Sequence, residues 1–228
     1  AIAAVLVIVF GGIFIYRSDL FLITNVQVEG TSHLTSQEIS TVAGVPEDAT
    51  LLRLDTAGIV KRLEGEAWVA HAEVHRVFPD RIVLSIEEHE AGAVVKITDK
   101  KTWVVSKDGV WLSAANADDW KSEMRIVDVS ASLSAPVSGN DCGDGGIKNA
   151  LSVLESISPE LKDQIKSISA ESSVKTSLNL KSGVTVAFGD SNDVELKEAD
   201  IWGLLEKYEG KISYINVRVP ANPTFRTL

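Results

Sequence analysis

The chain opens on an unbroken apolar run, AIAAVLVIVFGGIFIY over Ala1–Tyr16, and its first charge is Arg17. A helix apolar on every face has no side to offer water, so the run predicts burial in lipid. At about 1.5 Å per residue, 16 helical residues reach roughly 24 Å against a hydrocarbon core of about 30 Å. The run therefore reads as a transmembrane helix, residues 1–16, lacking its cytoplasmic end, followed by a juxtamembrane segment, 17–22. A cleaved signal peptide wants a small-x-small site, which Tyr16–Phe21 does not offer. A core helix of this length would need burial on all sides.

Beyond Arg17 the pattern becomes that of a folded domain. Thr24–Glu29 alternates, with Val26 and Val28 on one face, and Gly30 ends it as a strand. Thr35 is the expected N-cap of a short helix, Glu38 stands at the capping-box position and Gly44 closes it. Asp55 caps a second helix carrying Ile59, Val60 and Leu63 along one side. Two strands follow around the turn Phe78-Pro79-Asp80. Ala70, Ala72 and Val74 are expected inward on the first, opposite His71, Glu73 and His75; Ile82, Leu84 and Ile86 are expected inward on the second. The unit at 23–91 thus reads β-α-α-β-β.

From 92 to 228 the pattern is richer in strands. Strand-like pieces lie at Ala93–Thr98, Trp103–Ser106 and Val110–Leu112, with Lys107-Asp108-Gly109 as a hairpin turn, and at Ile126–Val129. Ser130–Gly146 is a Ser/Gly/Asp loop, and Ile147, Leu151 and Leu154 mark a helix. Val174–Leu180 and Val184–Phe188 pair around Lys181-Ser182-Gly183. A helix follows with Val194, Ile201, Leu204, Leu205 and Tyr208 on one face. Ile215, Val217 and Val219 alternate in a final strand. The fold class is α+β: a transmembrane helix, a small β-α-α-β-β domain, then a mixed strand-rich domain with two or more helices.

Composition narrows the function. Across 228 residues, 45% are hydrophobic and 24% charged, which excludes wholesale disorder and fibrous repeats. Lys plus Arg number 22 against 32 Asp plus Glu, a net charge of −10, so phosphate backbones are repelled and nucleic acid is not an expected partner. Cys142 is the only cysteine, which excludes an internal disulfide and a cysteine-based zinc site.

Candidate chemistry is sparse. His71-Ala72-Glu73-Val74-His75 resembles a zinc-protease motif with the Glu one position late. On a strand, i and i+4 lie about 13 Å apart, too far to share a metal with ligand bonds of about 2 Å. Glu87-Glu88-His89-Glu90 reads as a solvated strand end, and Cys142 has no sequence neighbour that would activate it. No phosphate loop and no Gly-x-Ser-x-Gly elbow occurs. Catalytic, cofactor and metal residues are therefore all expected to be none.

Several stretches resemble the FtsQ/DivIB family of bacterial division proteins, whose soluble part opens with a POTRA domain. Phe21–Gly30 is similar to the family's first strand. Trp68-Val69-Ala70-His71-Ala72-Glu73-Val74-His75-Arg76-Val77-Phe78-Pro79-Asp80-Arg81-Ile82 is similar to its "pWV..A.V.R.wP..l" hairpin. Val105-Ser106-Lys107-Asp108-Gly109-Val110 falls at its "D..G.v" turn. Ile212–Pro220 resembles "i..iDlR.p", with Asn216 where the family has Asp.

The resemblance implies a non-enzymatic scaffold without cofactor: a single-pass type II cell-membrane protein, mostly extracytoplasmic, at the division septum. It implies FtsB/DivIC-like and FtsL-like partners and a part in controlling septal peptidoglycan synthesis by FtsW/FtsI-like synthases. The physical route would be strand addition to an exposed sheet edge. In the family the partner adds beside the C-terminal strand, which here nominates Val217, Val219, Pro220, Ala221, Thr224 and Phe225. Pro220 and Pro223 have no N–H and would guard that edge against indiscriminate pairing. A POTRA recruitment face would comprise Lys61, Arg62 and Glu64. Two alternatives are a POTRA module of a secretion apparatus, which needs barrel strands after the POTRA domain, and an anchored extracytoplasmic hydrolase.

Overall fold

The structure is a computed structural model that describes residues 2–99, 101–116, 120, 124–220 and 222–228. The apolar run forms helix α1, Ile2–Arg17, with its large side chains exposed. Among the described residues no helix is long and apolar enough to cross a membrane. The chain divides into two compact units, the first including α1, and the boundary falls between His89 and Glu90.

The first unit contains β1 (Asn25–Glu29), α2 (Ser36–Ala43), α3 (Thr56–Leu63), β2 (Val69–Val77) and β3 (Arg81–Glu88). Its sheet has the order β1-β3-β2, with β1 parallel and β2 antiparallel to β3. Helix α2 starts where expected, because the Thr35 hydroxyl takes the Glu38 N–H while the Glu38 carboxylate takes the Thr35 N–H. It stops at Gly44, whose φ of 55° is a left-handed conformation that only glycine adopts freely. Asp55 caps α3 through the Gly58 N–H at 3.0 Å. Ile39, Ala43, Ile59 and Leu63 from the helices meet Ile82, Leu84 and Ile86 in one core.

One inward assignment is corrected. Ala70 is exposed, because the ladder to β3 shifts between Val69 and His71 and leaves Ala70 as an extra residue. Val69 and Ala72 fill the core in its place.

The Glu88 carboxylate fastens this unit's first loop. It accepts the N–H groups of Ser32, His33 and Leu34 at 3.1, 2.8 and 2.9 Å and the Ser32 hydroxyl at 2.8 Å. Partial burial pushes its pKa up, but the His33, Leu34 and Ser32 donors outweigh that and hold the carboxyl below its ordinary value. A carboxyl with a lowered folded pKa contributes stability above the carboxylate range, and loses it as pH falls through the folded value. Glu88→Gln is expected to cost about 1–2 kcal/mol at neutral pH. The gap to the unsubstituted chain should narrow below about pH 4, as read by thermal unfolding across pH. A gap constant with pH would contradict this account of the clamp.

The second unit holds β4 (Ala91–Thr98), β5 (Lys101–Ser106), β6 (Trp111–Ala115), β7 (Arg125–Val127), α4 (Gly145–Ser156), α5 (Pro159–Gln164), β8 (Ile165–Ala170), β9 (Thr176–Leu180), β10 (Thr185–Ala187), α6 (Val194–Lys207), β11 (Ile212–Asn216) and β12 (Thr224–Thr227). The strands form one nine-stranded sheet in the order β12-β11-β10-β9-β8-β7-β4-β5-β6. Buried side chains of α4 and α6, including Ile147, Leu151, Leu154 and Ile201, share a core with Ile126, Ile168, Leu178, Val186 and Ile215. Helix α4 begins at Gly145, two residues before its first apolar position. Asp144 caps it through the Ile147 N–H, and a Cβ at Gly146 would collide with the Ala170 carbonyl oxygen at 2.5 Å.

Packing also buries one charge. Lys197 on α6 is 1% exposed, and its Nζ donates to the Asp190 carbonyl at 2.9 Å and to Asp190 Oδ1 at 2.8 Å, above the Phe188 ring.

Candidate functional site

A sheet that is not closed into a barrel has two edges with unpaired N–H and C=O groups, and what covers each decides where another chain can add. At the β6 edge the chain covers itself. The Trp111 N–H donates to the Asn140 carbonyl at 2.9 Å and the Gly139 N–H to the Trp111 carbonyl at 2.7 Å. Val110 bridges Asp141, the Cys142 N–H reaches the Gly109 carbonyl at 2.8 Å, and the Ser138 hydroxyl bonds the Leu112 carbonyl. Lys148 Nζ holds this stretch through Asp141 Oδ2 at 2.7 Å. The Ser130–Gly146 loop, expected to be an exposed connection, is thus partly a strand cover, and its Cys142 is buried. Burial pushes that thiol's pKa up, away from nucleophilic character.

The opposite edge is β12. All four of its residues are exposed. It pairs antiparallel with β11, matching Asn216 with Thr224, Ile215 with Phe225 and Tyr214 with Arg226. Opposed residues share a face, and two aromatic contacts fasten the strand on both sides. The Phe225 ring lies 4.6 Å from that of Tyr208 at the end of α6, and the Arg226 guanidinium lies 5.1 Å above Tyr214. The Leu228 N–H donates to the Lys211 carbonyl at 2.9 Å, so alternation turns Arg226 and Thr224 inward too. The Phe225 N–H and C=O and the Thr227 N–H therefore point away from β11, while the Thr227 carbonyl accepts the Ser213 hydroxyl of β11 at 3.1 Å.

The expected final strand is corrected in two respects. Strand β11 ends at Asn216: the Val217 N–H makes the last bond of the parallel ladder to β10, to the Ala187 carbonyl at 3.0 Å, and β12 covers the other flank of β11. Val217 is 0% exposed and belongs to the core, with no side-chain surface for a partner. Val219, 64% exposed, and Pro220 lie in the connection between β11 and β12, where the Asn222 N–H meets the Val219 carbonyl. Pro220 and Pro223 shape that turn and do not interrupt an edge ladder. Thr224 and Phe225 are on the edge strand, and Ala221 lies outside the described residues. Asn216 keeps the Arg218 contact without a charge: its Oδ1 accepts the Arg218 backbone N–H and Nε, both at 3.2 Å. Arg226, Thr227 and Tyr208 were not nominated from sequence, since a polar TFRT segment carries no apolar alternation.

In the first unit, two of the three nominated helix residues hold the fold. Arg62 Nε and Nη2 donate to the Ala43 carbonyl at 3.1 and 2.6 Å and so cap the end of α2. Glu64 accepts from the Ala72 N–H at 3.3 Å and contacts His71 Nδ1 at 3.0 Å. Lys61 is exposed beside Val60 and Val74 in a shallow cleft. His71 and His75 both lie on strand β2 with Glu73 between them, 3.6 and 3.0 Å from their Nε2 atoms. Among the described residues no group of three or more His, Cys, Asp or Glu is placed to hold a metal.

Comparison with known proteins matches both units. The family model of the POTRA domain, FtsQ-type, covers residues 21–89, and that of the cell division protein FtsQ/DivIB C-terminal domain covers residues 93–218. Among individual relatives, cell division protein FtsQ of Streptomyces venezuelae is 28% identical over 221 residues, 96% of this chain and 80% of the relative. FtsQ of Mycolicibacterium smegmatis is 26% identical over 194 residues, 85% of this chain and 55% of the relative. FtsQ of Syntrophotalea carbinolica is 30% identical over 88 residues, 39% and 31% respectively. The chain thus spans about half the M. smegmatis protein and a third of the S. carbinolica one. With the C-terminal model alone matching more than half of its length, the chain belongs to the FtsQ/DivIB family of cell division proteins.

Proposed function

We propose that this protein is a non-enzymatic division scaffold that lends the outer edge of β12 to FtsB/DivIC-like and FtsL-like partners. Through them it helps control septal peptidoglycan synthesis by FtsW/FtsI-like enzymes. The observation that carries this reading is the asymmetry of the nine-stranded sheet: residues 138–142 bond along the start of its β6 edge, at Trp111 and Leu112, while β12 is exposed along its whole length. An extended partner segment would receive main-chain hydrogen bonds from Phe225 and Thr227, and its alternate side chains would meet the Tyr208–Phe225 and Tyr214–Arg226 faces.

In this reading α1 is part of a membrane anchor of a single-pass type II protein, with both units outside the cytoplasm. An all-round apolar surface over Ile2–Tyr16 supports it. Of the nominated POTRA face, Lys61 is the residue with no hydrogen bond or ion pair among the described residues, and it is exposed. The reading is tested by co-purification of the FtsB/DivIC-like partner with the intact chain and with one ending at Asn222. Loss of the partner from the shortened chain is the expected result, and undiminished association would reject the β12 edge.

A further inference from the structure

The first unit carries an apolar patch that its own fold leaves uncovered, close to where the chain leaves α1. That helix ends in a tight turn. The Ser18 N–H and hydroxyl donate to the Phe14 and Ile15 carbonyls respectively, and the Leu22 N–H donates to the Asp19 carbonyl at 3.2 Å. The residues that follow are fastened to the unit on two sides. The Leu51 N–H donates to the Phe21 carbonyl at 2.9 Å, and the Asp80 carbonyl takes the Thr24 N–H at 2.9 Å. Asp80 belongs to the turn between β2 and β3, and at the same junction the rings of Phe21 and Phe78 meet edge to face with centroids 5.2 Å apart.

Leu20, Val77 and Phe78 are exposed around this contact, Phe78 by 55%. Single exposed apolar residues are ordinary, but a contiguous set marks a surface that something else covers. Arg76 and Arg81 flank the turn, and both are exposed. Arg76 Nη2 holds the Leu54 carbonyl at 2.9 Å, while the Arg81 guanidinium makes no hydrogen bond or ion pair among the described residues. The two carboxylates on these segments are engaged: Asp80 accepts the Thr24 hydroxyl at 2.8 Å, and Asp19 lies 3.6 Å from Arg53. Only residues 18–20 separate Arg17, the last residue of α1, from Phe21. At no more than about 3.6 Å per residue, Phe21 stays within roughly 14 Å of the end of the helix.

We propose that Leu20, Val77 and Phe78 rest in the headgroup layer of the bilayer that holds α1, which makes the β2–β3 turn a second, peripheral membrane contact of the first unit. This inference rests on the reading of α1 as a membrane anchor. Aromatic and aliphatic side chains are favoured at that depth, and the Arg81 guanidinium would pair with lipid phosphates behind them. A net charge of −10 keeps the chain as a whole off anionic headgroups, and the arginines at the turn offset that repulsion where the contact is made. A protein partner could sit anywhere on the surface of the unit. The patch instead lies where a short tether keeps it against lipid, and that continuity with α1 favours the bilayer.

The test reconstitutes the full chain, its one thiol removed by Cys142→Ala, into vesicles of phosphatidylethanolamine and phosphatidylglycerol. A single new cysteine carries an environment-sensitive nitrobenzoxadiazole label at Phe78→Cys, at Val77→Cys, which leaves the Phe78 ring in place, or at Gln37→Cys as the control. Gln37 is exposed near the start of α2, which the Leu34 N–H to Glu88 holds towards the other end of β3. From Arg81 to Glu88 that strand runs about 23 Å. Both labels at the turn should shift to the blue and lose emission to lipids brominated near the headgroup end of their chains, and the control label should do neither. Adding Arg81→Glu should reduce the loss, and an undiminished loss would overturn the part given to that arginine. A chain that fails to float with the vesicles would overturn the anchor reading and this inference together. A chain that floats while both turn labels behave as the control does would overturn this inference alone. A blue shift without bromine quenching would place the patch against protein, a second copy included, and would overturn it as well.

Discussion

Thr227→Pro is expected to weaken association with an FtsB/DivIC-like partner by about tenfold or more, while the unfolding midpoint of the chain stays where it was. The Thr227 N–H faces away from β11, as the inward Leu228 N–H to Lys211 requires, so proline there removes no bond of the existing ladder. What it removes is a donor that the added strand would use, and its ring stands where that strand must approach. A hydrogen bond contributes about 0.5–1.5 kcal/mol net, and an acceptor left unpaired in the new ladder costs about 1–3 kcal/mol, which together reach a factor of ten. Arg226→Pro makes the contrast. Its N–H turns inward, so this variant should loosen β12 itself and lower the unfolding midpoint. Affinity measured by titration calorimetry beside thermal unfolding separates the two, and equal affinity of Thr227→Pro and the unsubstituted chain would remove β12 from the interface.

The second large effect concerns the buried ammonium of Lys197. Asp190→Ala leaves that charge with the Asp190 backbone carbonyl and the Phe188 ring but no carboxylate. Breaking a fully buried pair costs about 3–5 kcal/mol; the Asp190 side chain is 44% exposed, so about 2–3 kcal/mol is expected here. Lys197→Met removes the charge at similar volume and should be close to neutral, within about 1 kcal/mol. The hydrogen bond from Lys197 is the foremost cause holding the Asp190 carboxyl below its ordinary value. Its contribution is therefore present above the carboxylate range and lost as pH falls through the folded value, so Asp190→Asn should matter at neutral pH and little in acid. Chemical denaturation of the three variants at two pH values checks this. A Lys197→Met as damaging as Asp190→Ala would show that the ammonium's hydrogen bonds to Asp190, not the cost of an uncompensated charge, are what hold the start of α6.

Much of the first unit was legible because its signals are local. Thr35, Glu38 and Gly44 fix α2 within a few residues, and Asp55 fixes the start of α3. Ala70 was misread because a bulge shifts the strict period of two on which inward and outward assignments rest. The same cause hid β8: its ladder shifts between Ile165 and Ser167, so Ile165 and Ile168 are buried three positions apart, and no alternation is visible. Helix α5 is six residues with one buried position, Leu161, too short for a periodic pattern. The candidate edge was legible in region but not in element. TFRT has no apolar alternation, and it is a strand because β11 offers it a ladder and Tyr208 a ring to lie against. Its importance depends on residues 138–142 bonding along the start of the other edge, a contact between segments that sequence pattern does not encode.

The most direct measurement of the central claim is amide hydrogen exchange of the chain with and without its FtsB/DivIC-like partner. The outward amides of Phe225 and Thr227 should exchange freely alone and become protected in the complex, while Trp111 and Gly139 at the covered edge stay as they were. Protection that leaves Phe225 and Thr227 untouched, in a complex shown to be saturated, would contradict it.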